Sequence, residues 1–140
     1  MRPVEVAAAV IRKNGSTLIC SRPRNTALGG FFEFPGGKCE PGETLSCCVV
    51  RELQEELGIT VVPFDTIHVL THVYPDKTVR VHFIRCMIAS GTPSPLDQQE
   101  IRWVPTAELA EVPFLPADLP LAELLAESAR NLQKNPEPLQ

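Results

Sequence analysis

Three features are missing from this 140-residue sequence: a long apolar run, a cluster of basic residues, and a cysteine pair at metal-binding spacing. No apolar stretch approaches the roughly 20 residues that a membrane-spanning helix requires. The first residues are interrupted by charge too early for a signal peptide. We therefore expect a cytoplasmic protein without a membrane partner.

The lack of a Lys/Arg run argues against a surface that binds a nucleic-acid polymer. Such a surface needs a basic patch to displace condensed counterions, whereas the formal net charge here is −4. A single nucleotide that arrives with a metal ion is compatible with an acidic protein. We expect a small-molecule nucleotide as the partner, and a monomer or homodimer as the assembly.

The five cysteines have no CxxC spacing, and their number is odd. Two of them are adjacent, which makes a bond between those two unfavourable. We expect reduced thiols that pack like small apolar side chains rather than a zinc site. They are Cys20, Cys39, Cys47, Cys48 and Cys86.

Apolar periodicity and turn signals predict a single domain over residues 1–140, with a frayed tail at about 134–140. Asn14-Gly15 between two apolar runs indicates a β-hairpin. The order of strands, helix, strands and helix predicts an α/β fold with a mixed sheet between helices. We expect strands at 4–11, 17–20, 31–34, 67–73, 78–88 and 101–104, a glycine-rich loop at 35–42, and helices at 44–57 and 119–132.

The first predicted helix carries three carboxylates on one face. Steps of three and four residues place Glu52, Glu55 and Glu56 about one turn apart, so they repel one another. Arg51 offsets only part of this repulsion, whereas Mg²⁺ or Mn²⁺, which prefer hard oxygen ligands, would relieve all of it. Glu43 could add a fourth carboxylate. Alone, the helix could equally be a solvated acidic face, and its core stripe would run through Cys47, Val50, Leu53 and Leu57.

The segment 37–59 resembles the Nudix box at every fixed position. That pattern is Gly, five residues, Glu, seven residues, Arg-Glu-aliphatic, one residue, Glu-Glu, one residue, Gly-aliphatic. A chance match at a given start is on the order of 10⁻⁹ from average residue usage. The matched positions are Gly37, Glu43, Arg51, Glu52, Leu53, Glu55, Glu56, Gly58 and Ile59.

The resemblance implies an α/β/α sandwich and Mg²⁺-assisted attack of water on a phosphoanhydride. It implies a metal site formed by Gly37, Glu43, Glu52, Glu55 and Glu56, in which Glu52, Glu55 and Glu56 are ligands and Glu43 supports them. It also implies that Arg51 orients the glutamates rather than binding the substrate.

Four further stretches, 33–38, 50–60, 74–77 and 114–120, resemble the MutT type of Nudix hydrolase. This resemblance implies that a nucleoside triphosphate, 8-oxo-dGTP or a cytidine triphosphate, is cleaved to the monophosphate and pyrophosphate. It implies sanitation of the nucleotide pool. The substrate-binding residues implied are Arg22, Phe34, Gly36, Gly37, Lys38, Tyr74, Asp76 and Asp118.

Several roles stay open at this point. Phe34 and Tyr74 would stack on the base or belong to the core. Asp118 stands where the 8-oxoguanine enzymes have an asparagine, so it reads the base as an acceptor or caps a helix. The catalytic base is Asp97, six residues before the tryptophan, or Glu100.

Two other functions remain in competition. Tyr74 and Pro75 fall near the positions that distinguish Nudix hydrolases of ADP-ribose or diadenosine polyphosphates. A Nudix-fold module that senses a nucleotide without cleaving it is the second alternative. Such modules lose metal-binding glutamates, and this sequence retains all of them.

Overall fold

The computed structural model describes residues 2–134 and contains eight strands, two α-helices and one 3₁₀ helix. The predicted tail lies outside the described residues beyond Lys134. The strands are β1 Val4–Val10, β2 Arg12–Lys13, β3 Ser16–Ser21, β4 Phe32–Glu33, β5 Gly36–Lys38, β6 Thr60–Val73, β7 Thr78–Ser90 and β8 Ile101–Pro105; the helices are α1 Leu45–Leu57, the 3₁₀ helix Thr106–Glu111 and α2 Leu119–Lys134.

A mixed four-stranded sheet in the order β5-β1-β7-β6 lies between α1 and α2. Strand β1 is parallel to β7 and antiparallel to β5. Successive side chains of β1 point to opposite faces: Ala7 and Ala9 pack in the α1 core, while Ala8 and Val10 pack in the α2 core. This arrangement confirms the predicted α/β fold with a mixed sheet between helices.

A second, antiparallel sheet flanks the first and contains β2, β3, β4 and β8, with β8 on β3. The hairpin between β2 and β3 turns at Asn14 and Gly15, which have φ angles of 52° and 77°. Two consecutive positive φ values match the type I′ turn that Asn-Gly favours. The predicted hairpin is therefore confirmed.

Helix α1 begins and ends at the residues that its sequence indicates. The Thr44 hydroxyl caps it by accepting a hydrogen bond from the Cys47 amide at 3.1 Å, and Gly58 ends it with a φ of 67°. The predicted core stripe is partly wrong, because Cys47 is exposed. Steps of four back from Leu57 pass through Leu53 to Val49, and Cys48 lies beside them, so the buried residues are Cys48, Val49, Leu53 and Leu57.

Two strands differ from the prediction. Residues 36–38, predicted as loop, form β5, because Gly36 and Gly37 pair closely with the β1 backbone at Ala8 and Ala7. Strand β6 begins at Thr60 rather than at 67. Its pairing with β7 shifts register between Pro63 and His68, which removes the strict alternation by which a strand is recognised.

All five cysteines are free thiols, and three of them, Cys20, Cys48 and Cys86, are buried. This agrees with the expectation of reduced thiols that pack as small side chains. Between residues 2 and 134, no helix has the length and apolar character needed to cross a membrane.

Replacement of Gly36 by alanine is expected to destabilise the fold. An added Cβ would lie 2.1 Å from the Ala7 carbonyl oxygen, so β5 would have to move away from β1. We expect a loss on the order of 2 kcal/mol or more in the free energy of unfolding.

The control for this prediction is Gly42→Ala. Gly42 has a φ of 79° but open space around the added Cβ, so only the left-handed backbone costs about 1 kcal/mol. Urea unfolding monitored by circular dichroism compares the two variants. Equal losses would contradict the proposed clash at Gly36.

Candidate active site

A cleft of about 690 Å³ lies between the β1–β5 edge, α1 and the segment that precedes α2. It brings together all eight substrate-binding residues predicted from the sequence, and two carboxylates of α1 reach it. These residues are Arg22, Phe34, Gly36, Gly37, Lys38, Tyr74, Asp76 and Asp118, with Glu52 and Glu56 from α1.

The guanidinium of Arg51 organises the carboxylates beside this cleft. It donates to both oxygens of Glu43, at 2.7 and 2.9 Å, and to Glu52 at 2.9 Å and Glu55 at 3.2 Å. It also donates to the backbone carbonyl of Lys38 at 3.1 Å. Arg51 therefore joins the loop before α1 to the acidic face of α1, in keeping with the orienting role implied by the resemblance.

Gly37 allows the Glu52 carboxylate to lie directly against the backbone of β5. A Cβ at this position would come within 2.5 Å of the Glu52 carboxylate carbon. Any side chain here would therefore displace that carboxylate. Gly37 thus leaves room for Glu52, and its contribution to the metal site stays a prediction.

Glu52 and Glu56 form a close pair of carboxylates at the cleft. Burial, followed by the negative charges of Glu52 and Glu33, raises the pKa of Glu56 to about 8. The nearby Glu52 charge makes the Glu56 carboxyl group harder to ionise, and a proton or a cation at Glu56 relieves this repulsion. Hard oxygen donors with excess negative charge fit a divalent cation such as Mg²⁺.

The other two predicted acidic residues of the metal site, Glu43 and Glu55, form ion pairs with Arg51. Neither is among the residues that line the cleft. In the part of the chain that the structure describes, no three acidic, histidine or cysteine side chains converge as a ready-made metal cluster. The structure thus brings Glu52 and Glu56 together in the cleft and holds Glu43 and Glu55 through Arg51.

Glu33 is a cleft residue that the sequence reasoning missed. The Oε2 atom of Glu33 is buried without a hydrogen-bond partner, and so is the Nε atom of Arg22. The Arg22 Nη1 atom lies 3.8 Å from Glu33 Oε2. Burial raises the pKa of Glu33, although the nearby Arg22 partly offsets this effect. The available signal was an acidic residue between Phe32 and Phe34 at the start of the glycine-rich segment.

Asp118 and Tyr74 also line the cleft. Asp118 is only 6% exposed. Burial and the charge of Glu33 raise its pKa well above the ordinary value, and a hydrogen bond from the backbone of Phe34 acts in the opposite direction. Burial also raises the pKa of Tyr74, as does the charge of Asp118.

The ring of Phe34 belongs to the core. Phe34 is 2% exposed, stacked on Phe114 with ring centroids 5.3 Å apart, and in edge contact with Phe83 at 5.7 Å. Two roles were left open for Phe34, stacking on the base or packing in the core, and these contacts favour packing in the core. Tyr74 is half-buried at the cleft and remains the candidate for stacking on a base.

The two candidate catalytic bases lie outside the lining of this cleft. Asp97 is exposed on the loop that packs against the end of α1. Glu100 is paired with Arg102 and lines a neighbouring cleft of about 660 Å³ together with Arg24. Neither position separates the two candidates, so both remain predictions.

Acid pH is expected to remove the stabilising contribution of Glu43. The hydrogen bond from Arg51 is the main cause that lowers the pKa of Glu43 from 4.5 to about 2. Because the folded pKa is the lower one, the contribution is complete above about pH 4.5 and is lost as the pH falls toward 2. The melting-temperature difference between the wild type and Glu43→Gln, measured in EDTA, should shrink over that interval.

Glu40→Gln serves as the control, since Glu40 is exposed and 3.8 Å from Arg51. Its effect on the melting temperature should be small at every pH. A Glu43→Gln difference that stays constant down to about pH 2 would contradict the proposed ion pair.

Comparison with known proteins agrees with the geometry. The model of the NUDIX domain matches residues 6–124. The CTP pyrophosphohydrolase of Escherichia coli K12 is 33% identical over 123 residues, covering 88% of this chain and 91% of that protein. The 8-oxo-dGTP diphosphatase of the same organism is 34% identical over 122 residues, covering 86% and 95%. The solution structure of the E. coli ORF135 protein superimposes with a TM-score of 0.78 at 30% identity, covering 98% and 96%. The chain therefore belongs to the NUDIX domain family.

Proposed function

We propose that this Nudix hydrolase uses Mg²⁺ to cleave a nucleoside triphosphate to the monophosphate and pyrophosphate. One observation carries the proposal: the cleft has a cation-demanding carboxylate pair, Glu52 and Glu56, together with the basic side chains of Arg22 and Lys38 and a buried acidic recess. A triphosphate with its metal ion and a base presents the complementary groups. Hydrolysis of damaged nucleoside triphosphates, which sanitises the nucleotide pool, is part of the same proposal because these molecules belong to the same substrate class.

The metal would be held by Glu52 and Glu56, with Glu55 and Glu43 as supporting carboxylates. When bound, Mg²⁺ would supply neutralisation of the phosphate charge and activation of the attacking water. Mn²⁺ has the same preference for carboxylate oxygens and should substitute. Arg51 serves the reaction by holding Glu52 in place through the bond at 2.9 Å.

The chain's own cationic groups bind the phosphates. Arg22 and Lys38 line the cleft near the carboxylate pair, and the glycine backbone at Gly36 and Gly37 permits close approach. Asp97 or Glu100 would accept the proton of the attacking water. Both lie on the segment between β7 and β8, which reaches the C-terminal end of α1.

The base would enter the recess formed by Asp118, Glu33 and Tyr74. Carboxylates accept hydrogen bonds from amine and ring N–H groups, which guanine presents at N1 and N2 and cytosine at N4. This chemistry suits an oxidised guanine nucleotide and a cytidine nucleotide alike. The similar proteins from E. coli are named for one of each, CTP and 8-oxo-dGTP, so both substrates are proposed with equal weight.

The proposed reaction is tested by measuring pyrophosphate release from CTP, dCTP, dGTP and 8-oxo-dGTP. We expect release with Mg²⁺ or Mn²⁺, none in EDTA, and a loss on the order of 10³-fold in kcat for Glu52→Gln. Glu123→Gln, an exposed change on α2, should match the wild type. A folded Glu52→Gln variant that keeps a tenth of the wild-type kcat would refute the assignment. ADP-ribose or diadenosine polyphosphate as the preferred substrate would refute the substrate class.

Substitution of Asp118 should decide how the base is recognised. If Asp118 accepts from the base, Asp118→Ala should lower kcat/KM for the preferred nucleotide by about 10- to 100-fold, equivalent to about 1–3 kcal/mol. Discrimination among bases would narrow, because poorly used nucleotides lose little. Asp118→Asn adds a donor and should shift preference toward the O6 and N7–H edge of 8-oxoguanine.

The alternative role for Asp118 is a cap for α2, since it directly precedes that helix. In that case all four nucleotides should lose kcat/KM together, with a lower melting temperature. Unchanged kinetics and stability in both variants would place base recognition elsewhere in the cleft.

A further inference from the structure

Gln99 is one of four buried polar or charged side chains among residues 2–134, with 9% exposure. Both ends of its amide group are used. The Oε1 atom accepts a hydrogen bond from the Asp97 backbone amide at 2.9 Å. The Nε2 atom donates to the Glu56 backbone carbonyl at 3.1 Å. A single side chain therefore connects the backbone of a candidate catalytic base to the backbone of a candidate metal ligand.

The same segment satisfies the carbonyl groups at the C-terminal end of α1. The last carbonyls of a helix lack partners within the helix. Here the Leu96 amide donates to the Glu56 carbonyl at 3.2 Å, and the Ser94 amide donates to the Leu57 carbonyl at 2.9 Å. Gln99 thus completes the attachment of residues 94–99 to the helix that carries the cleft carboxylates.

The backbone of this segment turns so that Gln99 can reach back to Asp97. Gln98 lies between them and has a φ of 59°, a left-handed backbone conformation that residues other than glycine rarely adopt. Gln98 itself is exposed and makes no contribution to the lining of the main cleft. The turn and the buried amide together hold the Asp97 backbone in one place relative to Glu56.

We infer that Gln99 is a positioning residue for the hydrolytic reaction: its amide holds the Asp97 segment against the Glu56 backbone, so that the Asp97 carboxylate keeps one location relative to the cleft. The inference rests on the proposed function. It concerns Asp97, the candidate base whose backbone amide Gln99 contacts, whereas the Glu100 backbone is held separately by Ser21. Gln99 touches neither substrate nor metal, and it acts through Asp97.

Two substitutions separate the bonds of Gln99, and a third is their matched control. Gln99→Met keeps a similar volume but removes both hydrogen bonds. Gln99→Glu keeps an acceptor for the Asp97 amide but places an oxygen opposite the Glu56 carbonyl. Gln98→Glu introduces the same charge at the adjacent, exposed position. Melting temperatures establish that each variant is folded before its kinetics are measured.

With Mg²⁺ and the preferred triphosphate, Gln99→Met should lower kcat by about 10- to 100-fold, because misplacement of a catalytic group by roughly 1 Å lowers the rate by such a factor. KM should change by less than about threefold. Gln99→Glu breaks the same link at the Glu56 carbonyl and should also lower kcat, whereas Gln98→Glu should match the wild type. A wild-type kcat for folded Gln99→Met would overturn the inference. So would an increase in KM without a change in kcat.

A double-mutant cycle with Asp97→Asn tests whether Gln99 acts through Asp97. The effect of Gln99→Met on kcat should disappear in the Asp97→Asn background, because a misplaced residue that no longer acts as a base cannot cost more. A full 10- to 100-fold loss in that background would overturn the inference.

Amide hydrogen exchange distinguishes failure of this inference from failure of the proposed function. In Gln99→Met, the amides of Ser94, Leu96 and Asp97 should exchange faster than in the wild type, whereas Gln98→Glu should leave them unchanged. If the wild type hydrolyses no triphosphate, the proposed function fails, and unchanged exchange at Asp97 would then also refute the attachment by Gln99.

Discussion

The arrangement of the active site depends on one guanidinium group. Arg51 donates to Glu43, Glu52 and Glu55 and to the Lys38 carbonyl, so it joins the end of β5, the loop before α1 and α1 itself. The two parallel bonds to Glu43 need the planar fork of arginine, which a lysine ammonium cannot supply. The helix carboxylates of Glu52 and Glu55 and the loop carboxylate of Glu43 thereby acquire fixed directions.

The positive charge of Arg51 partly neutralises the carboxylates on the face of α1. The cleft beside it still has more acidic than basic side chains. Burial raises the pKa values of Glu33, Glu56 and Asp118, and neighbouring carboxylates raise those of Glu56 and Asp118 further. Arg22 and Lys38 supply positive charge at the same cleft. A polyphosphate would add to the negative charge, so under the proposed function its entry would depend on an accompanying cation. This dependence would explain how a protein with a net charge of −4 accepts an anionic substrate.

The sequence predicted those elements that local chemistry determines. Asn14-Gly15 specifies a turn by its own φ angles, and Gly58 ends α1 in the same way. Strand β5 and the role of Glu33 could not be predicted, because both depend on distant partners. Gly36 and Gly37 show no alternation and are held by β1. Glu33 becomes a cleft residue only when Arg22 and Asp118 are placed beside it.

Asp118 illustrates why the chemistry of a site residue does not follow from its identity alone. From the sequence, an aspartate in place of an asparagine is an acceptor without a donor. In the fold, burial and Glu33 raise the pKa of Asp118, and a neutral carboxyl group has one O–H donor as well as an acceptor. The neutral form would offer a base a donor that the ionised form lacks, and the Asp118→Asn amide offers that donor at every pH. The difference between an asparagine and an aspartate at this position therefore depends first on burial and second on the charge of Glu33, which the sequence reasoning overlooked.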